Sequence, residues 1–384
     1  MLSWRFLVYL IMVTTKDIEE QMPPPVQLGD ISEEELKQYD GSDSNKMAIK
    51  AQIYHRNYSV FWEIEAFGMM PYQKKTKVEA FVMEGDSPVR RWEDLDTDIL
   101  VNIFQSLNLF ERISVITPVC HAWLLASSDQ LLWKTLDLSV LQSNFIRTQC
   151  EPYVYVDSQS DQKLTRLLNS CLNLSRGNIL TLIFHYNLYV NDYQLTYTAA
   201  RCPRLRRLVM PAWNKITRTE ICRGIHIWED LESLTMPSIE DPASVIKEIA
   251  RSCRHFAELK IMGPCDMLFA SALVSFLPNL KVLSLRCTVL SKPALVMILE
   301  GLKELKVLNI SHCVITEDPP PAPMKILTTL DESILEKASR LCKFLTCTSD
   351  SCIMCQRTRN DEGEMKWCKY GDLWKVDEVK SLAI

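Results

Sequence analysis

Four cysteines near the end of the chain, Cys347, Cys352, Cys355 and Cys368, are spaced C-x4-C-x2-C-x12-C. Four thiolates can hold a tetrahedral zinc ion, and the inner pair in "CIMC" has a suitable spacing. Such modules usually present two C-x-x-C pairs, whereas this tail has one, and no histidine lies near it in the sequence. The expectation is therefore packed or free thiols in a terminal cap, with no metal. The same pair lacks the βαβ surroundings of a thioredoxin-like redox motif. No Gly-rich phosphate loop, H-E-x-x-H or nucleophile elbow appears elsewhere. The six histidines are scattered, and His121 and His312 read as surface or packing residues. No cysteine has a convincing His and acid beside it. These residues indicate a binding protein that needs no cofactor, not an enzyme.

Composition sets the frame. The 384 residues suffice for two or three domains, with 47% hydrophobic and 24% charged residues. A net charge of −5 gives no electrostatic reason to expect nucleic acid or an anionic membrane as partner. Many of the 14 cysteines (Cys202, Cys253, Cys287, Cys313) sit inside apolar segments, as small core residues do. That usage fits a reducing compartment, cytoplasmic or nuclear. The apolar run Phe6 to Val13 covers about half the length needed to cross a bilayer and is followed by no small-residue cleavage site. It reads as a poorly ordered leader, which argues against a membrane protein.

The elements that position everything else are repeats. The unit L-x-x-L-x-L appears as Ile179/Leu182/Phe184, Leu205/Leu208/Met210, Leu231/Leu234/Met236, Phe256/Leu259/Ile261, Leu280/Leu283/Leu285 and Leu305/Leu308/Ile310. First positions advance by 26, 26, 25, 24 and 25 residues, and Trp133/Leu136/Leu138 fits an irregular first unit. A steady period of this length predicts an α/β solenoid: each short strand turns its apolar residues inward, and a helix returns over the convex side. The repeats resemble the cysteine-containing leucine-rich repeats of plant F-box proteins, and they occupy 138–316. Prolines in "TEDPPPAPMK" end the register. "LDESILEKASRLCKFLTC" then predicts an amphipathic cap helix, with Leu330, Ile334, Leu335, Ala338, Leu341 and Leu345 on one side, within a cap at 317–384.

Ahead of the repeats, residues 89–137 hold three short helical patterns. Leu95, Ile99, Leu100, Ile103, Phe104 and Leu107 form one apolar face; Phe110, Ile113 and Val115 through Val119 form a second; Cys120, Trp123, Leu124 and Trp133 form a third. Three helices of this size expose surplus apolar surface that a partner would cover. The segment resembles an F-box: Leu95, Asp98, Ile99, Leu100, Ile103, Phe104 and Leu107, then Val119, Cys120 and Trp123, with Asp96 where proline is usual. The resemblance implies docking on a SKP-type adaptor, and through it a cullin, with Trp92, Leu95, Ile99, Leu100, Ile103, Phe104, Val119 and Trp123 at the matching positions, some as core and some facing the adaptor. It also implies that the chain is the substrate-recognition subunit of an SCF-type ubiquitin ligase.

Period-two alternation turns the residues flanking each inward pair toward the solenoid's inner surface. Arg207, Val209, Trp213, Thr235, Glu258, Lys260, Ser284, Arg286 and Asn309 are therefore the candidates for contact with a protein substrate.

Residues 1–88 read differently. "LGDISEEELKQYDGSDSNKMAIKAQIY", Leu28 to Tyr54, resembles the opening of the membrane-associated progesterone-receptor family, whose small domain binds haem or steroid. The likeness stops after Tyr54, before the Gly- and Tyr-rich stretch that builds that family's ligand pocket. "MEGDSPVRRWEDL", from Met83, reads like a protein start, so residues 1–82 are expected to be a fused or mis-joined segment dispensable to function. Two rival readings follow: a membrane-associated haem- or steroid-binding protein, and a leucine-rich scaffold outside any ligase.

Overall fold

The computed structural model describes residues 95–360 apart from 142, 148–153, 185–187, 212, 238–240, 318–324 and 328. The 28–54 segment, the expected start at Met83, Trp92 and Cys368 lie outside the described residues.

Helices α1 (Thr97–Gln105), α2 (His121–Ser127) and α3 (Gln130–Trp133) precede the first strand, with a π-helical turn at Glu111–Val115 between α1 and α2. Leu100, Val101 and Phe104 are buried from α1, and Trp123, Leu132 and Trp133 from α2 and α3. The Arg112 guanidinium locks this unit. It donates to the carbonyls of Phe104 and Gln105, at the end of α1, at 3.0 and 2.9 Å, and to Leu132 in α3 at 3.0 Å. These carbonyls lie at helix ends, where intrahelical partners run out, and that of Phe104 also accepts Leu107 N–H at 3.2 Å.

The helices run into the sheet without a linker. α3 ends at Trp133 and β1 (Thr135–Asp137) begins two residues on. The buried Trp133 indole donates to the Ser127 carbonyl at 2.6 Å. Between them, the Lys134 carbonyl accepts the N–H groups of Leu180 and Thr181 at 2.9 and 3.0 Å.

Two short strands, β2 (Ile146–Arg147) and β3 (Val154–Tyr155), form an antiparallel ladder after β1. Then comes the repeated unit of strand, short second strand and helix. β4 (Thr181–Ile183), β6 (Arg207–Val209), β8 (Ser233–Pro237), β9 (Glu258–Met262), β10 (Val282–Ser284), β12 (Val307–Asn309) and β14 (Lys343–Leu345) extend from β1 as one eight-stranded sheet, in chain order and all parallel. β5 (Tyr189–Asn191) pairs with β7 (Trp213–Lys215), and β11 (Val289–Ser291) with β13 (Val314–Thr316). Helices α4 (Ser158–Ser175), α5 (Asp192–Arg201), α6 (Arg218–Ile227), α7 (Pro242–Ser252), α8 (Met267–Phe276) and α9 (Lys292–Gly301) stack along the other side. This is the mixed α/β, leucine-rich-repeat architecture that the 25-residue period predicts.

The register explains why the period is strict. Leu136, Leu182, Leu208, Leu234, Leu259, Leu283 and Leu308 are Cα partners in one row that ends at Phe344. All seven leucines are buried. Burying one fully is worth about 1.5–3 kcal/mol, and no single unit can do so without its neighbours.

Local chemistry starts several of the repeat helices. The Asn191 side chain accepts from Gln194 N–H at 3.0 Å while the Gln194 side chain accepts from Asn191 N–H at 3.1 Å, a reciprocal cap. Asp157, Asp266 and Ser291 cap α4, α8 and α9 in the same way with one bond each. At the opposite ends, Cys202, Trp228, Cys253, Leu277 and Leu302 follow their helices and are buried. Cys202 and Cys253 thus hold a repeat position filled elsewhere by Trp or Leu.

The expected single helix over 330–345 is corrected. α10 (Glu332–Ala338) is short, and residues 343–345 form β14 on the edge of β12. Ile334 and Ala338 are buried, whereas Leu335 is exposed. The unpaired edge of β12 offers hydrogen bonds that a helix would leave unmade. The repeat sheet therefore continues past 316. Arg340 seals the turn, donating to the Leu299 and Leu302 carbonyls at the end of α9 at 2.6 and 2.8 Å. α11 (Ile353–Asn360) follows.

Candidate functional site

The candidate docking residues before β1 separate into two groups. Leu100, Phe104 and Trp123 face inward and hold the helices together, with Phe104 and Trp123 packed edge to face. They are the core members of the matching set. Leu95 and Ile103 are half-buried. Ile99 and Val119 are outward, at 46% and 51% exposure. Three residues not singled out for contact join them: Leu124 on α2 at 40%, Leu125 on α2 at 49% and Leu131 on α3 at 50%. Adjacent exposed leucines on a short helix were legible in "HAWLLAS". A soluble surface carries single exposed apolar side chains routinely, but five from elements packed on one another form an unusual concentration.

The inner face of the sheet carries two rows beside the leucine core. Thr181, Arg207, Ser233, Glu258, Val282, Val307 and Lys343 are register partners in one row. Ile183, Val209, Thr235, Lys260, Ser284, Asn309 and Leu345 form the other. In the second row Val209, Thr235, Lys260, Ser284 and Asn309 are buried, as is Arg286 just beyond it. Their expected exposure is corrected. Parallel strands stand about 4.8 Å apart, so each side chain has a neighbour on either flank. Arg207 and Glu258 in the first row are partly accessible, and Lys343, absent from the sequence candidates, is exposed. Ser233 donates to the Glu258 carboxylate at 3.0 Å, linking adjacent repeats within this row. Trp213 belongs to β7, on the two-stranded ladder with β5 and not on the eight-stranded sheet.

A third constellation contradicts the view that the tail cysteines have no histidine nearby. Donor atoms of His312, Cys347, Cys352 and Cys355 all lie within 4.8 Å of one another. His312 Nδ1 is 3.3 Å from Cys355 Sγ and 3.5 Å from Cys352 Sγ, and Cys355 Sγ is 3.6 Å from Cys347 Sγ. Burial, reinforced by Cys347, pushes the Cys355 thiol up. At Cys352 burial acts in the same sense, but N–H groups of Cys355 and Met354 outweigh it and hold the thiol below its ordinary value.

Similar proteins agree with this architecture. No protein-family model matches the chain. An F-box/LRR-repeat protein of Arabidopsis thaliana is 55% identical over 299 residues, covering 77% of this chain and 96% of that protein. A second F-box protein of Arabidopsis is 28% identical over 343 residues, 80% of this chain and 99% of its own length. Membrane steroid-binding protein 2 of Arabidopsis is 74% identical over only 38 residues, 9% of this chain and 16% of that protein. With a relative this similar matched almost from end to end, the chain belongs to the F-box/LRR-repeat protein family and carries in addition a short segment similar to membrane steroid-binding proteins.

Proposed function

We propose that the chain is the substrate-recognition subunit of an SCF-type ubiquitin ligase. In this reading residues 89–137 are the F-box. Ile99, Val119, Leu124, Leu125 and Leu131 dock on a SKP-type adaptor, which hangs from a cullin carrying the ubiquitin-charged enzyme. The carrying observation is the exposed apolar set on α1–α3 and, at Val119, just before α2, since burial of such residues at an interface centre supplies most binding energy. Family membership supports the same assignment. The chain makes and breaks no bond; it raises the effective concentration of a protein client near the charged enzyme. The client contacts the accessible row of the inner face, including Arg207, Glu258 and Lys343. The compartment is the cytoplasm, the nucleus or both.

The short steroid-binding likeness covers too little of its domain to supply a pocket and favours no second reading. Co-purification of the full chain with adaptor and cullin under proteasome blockade tests the proposal. Recovery of both, lost on joint Ile99→Asp and Val119→Asp substitution, is the expected result. A wild-type chain that recovers neither would leave a leucine-rich scaffold outside any ligase.

A further inference from the structure

We propose that His312, Cys347, Cys352 and Cys355 bind one structural zinc ion, fastening the C-terminal segment to the last repeats. The four residues come from three places. His312 lies in the turn after β12, Cys347 follows β14, and Cys352 and Cys355 stand at the start of α11. Only the stacking of β14 on β12 brings them together.

Three of the six edges between the donor atoms match those of a tetrahedral zinc site, and all six are within 4.8 Å. With zinc–sulfur bonds of about 2.3 Å and a zinc–nitrogen bond of about 2.0–2.1 Å, adjacent ligands stand about 3.6 Å apart for sulfur–nitrogen and about 3.8 Å for sulfur–sulfur. The observed edges are 3.3 and 3.5 Å for His312 Nδ1 to the two sulfurs, and 3.6 Å between Cys355 and Cys347. Three thiolates and one imidazole, with no carboxylate among them, suit zinc and not calcium or magnesium. Four protein donors leave no open position, which marks a structural site and not a catalytic one.

The surroundings are set before any ion arrives. The backbone N–H of His312 donates to the Cys347 carbonyl at 2.9 Å, fixing one turn against the other. His312 has φ +63°, in the left-handed region that a side chain enters at a cost. The 347–352 loop is tied to α11 by Arg359 Nη2 donating to the Thr348 carbonyl at 2.8 Å and Gln356 Nε2 to the Asp350 carbonyl at 2.6 Å.

Packed thiols look different in this chain. Cys202 and Cys253 each take a buried repeat position at a helix end, and the Cys253 thiol donates to the Trp228 carbonyl at 3.4 Å. The tail sulfurs meet each other and an imidazole instead. A Cys347–Cys355 disulfide would require the two sulfurs to close from 3.6 Å to about 2.05 Å, and would leave Cys352 and His312 without a role.

The test uses the full chain, purified reduced and without chelator. Elemental analysis should find about one zinc per chain, and X-ray absorption at the zinc edge should show about three sulfurs at about 2.3 Å and one nitrogen at about 2.0–2.1 Å. Cys355→Ser and His312→Ala should each lower zinc content at least fivefold, while Cys342→Ser, an exposed thiol outside the group, should leave it unchanged. His312→Cys guards against loss by misfolding: it should keep the metal and convert the zinc environment to four sulfurs. The proposal fails if wild-type chain neither contains nor takes up zinc, if a Cys347–Cys355 disulfide forms instead, or if His312→Ala retains full zinc.

Discussion

The rings of Phe104 and Trp123 meet edge to face, with centroids 5.2 Å apart and planes at 61°. Both residues fit the F-box pattern, yet this contact assigns them to the interior. Substituting either one is expected to act on folding, whereas Ile99 and Val119, on the proposed reading, act on docking. Phe104→Ala should destabilise the helical segment by about 3–5 kcal/mol. Ile99→Asp with Val119→Asp should leave the melting temperature within a few degrees of wild type and abolish adaptor capture. Thermal melts read alongside pull-downs separate the two; a Phe104→Ala chain that melts normally would remove the ring pair from the core.

Arg112 makes three hydrogen bonds to carbonyls from two helices. Burial lowers the pKa of its guanidinium, but the group stays charged at any physiological pH. Arg112→Ala should cost about 2–3 kcal/mol, given the value of bonds from a charged donor. Arg112→Lys should recover less than half, because an ammonium cannot span the same fork. Urea unfolding midpoints measure both, and an Arg112→Ala chain that unfolds at the wild-type midpoint, or full recovery by lysine, would refute the clamp.

Gly301 ends α9 where a Cβ would stand 2.5 Å from both methyl groups of Val274. Valine is stiff about χ1 and cannot swing aside. Gly301→Ala should therefore destabilise by about 1–3 kcal/mol, although alanine is the better helix former. Pairing it with Val274→Ala should recover most of that loss. Additive losses in the double-mutant cycle would show that the crowding is elsewhere.

Cys202, Cys253 and Cys313 have their pKa raised from 9.0 to about 12, chiefly by burial. In the unfolded chain these thiols ionise near pH 9, whereas in the folded chain they remain neutral until about pH 12. Between those values the unfolded state binds fewer protons, so stability falls as pH rises; below pH 9 the contribution is fully present. Urea midpoints at pH 8, 9 and 10 should decline, and more shallowly in a Cys202→Ala, Cys253→Ala double variant. In native labelling at pH 8, exposed Cys342 should react with iodoacetamide well before these three.

The repeat was legible because one row of leucines must stay in register, and seven successive strands hold to it. Exposure was not legible. Alternation says which side Lys260 and Asn309 take, but not that partners on both flanks bury them. The 330–345 segment has a genuine helical period, and what broke it was tertiary: β12 had an open edge that Lys343–Leu345 could complete. His312 escaped notice as a neighbour of Cys355 because 43 residues separate them along the chain. A clue was available. His312 occupies the repeat position held by Cys287 one unit earlier, and both residues adopt positive φ. Equivalent turns stack, so whatever follows β14 had to come down beside His312.

The direct passage from Trp133 into β1 gives the molecule a fixed lever arm. A single residue separates helix from strand, and its carbonyl is held by Leu180 and Thr181. No swivel exists at that point, so the concave face keeps a constant bearing to the helices. On the proposed reading, a client gripped by the repeats would be presented at one angle, and only lysines within a narrow arc would come within reach of whatever the helices hold. Inserting a few flexible residues at Lys134 would trade that aim for a wider sweep, changing which lysines are modified without altering either binding surface.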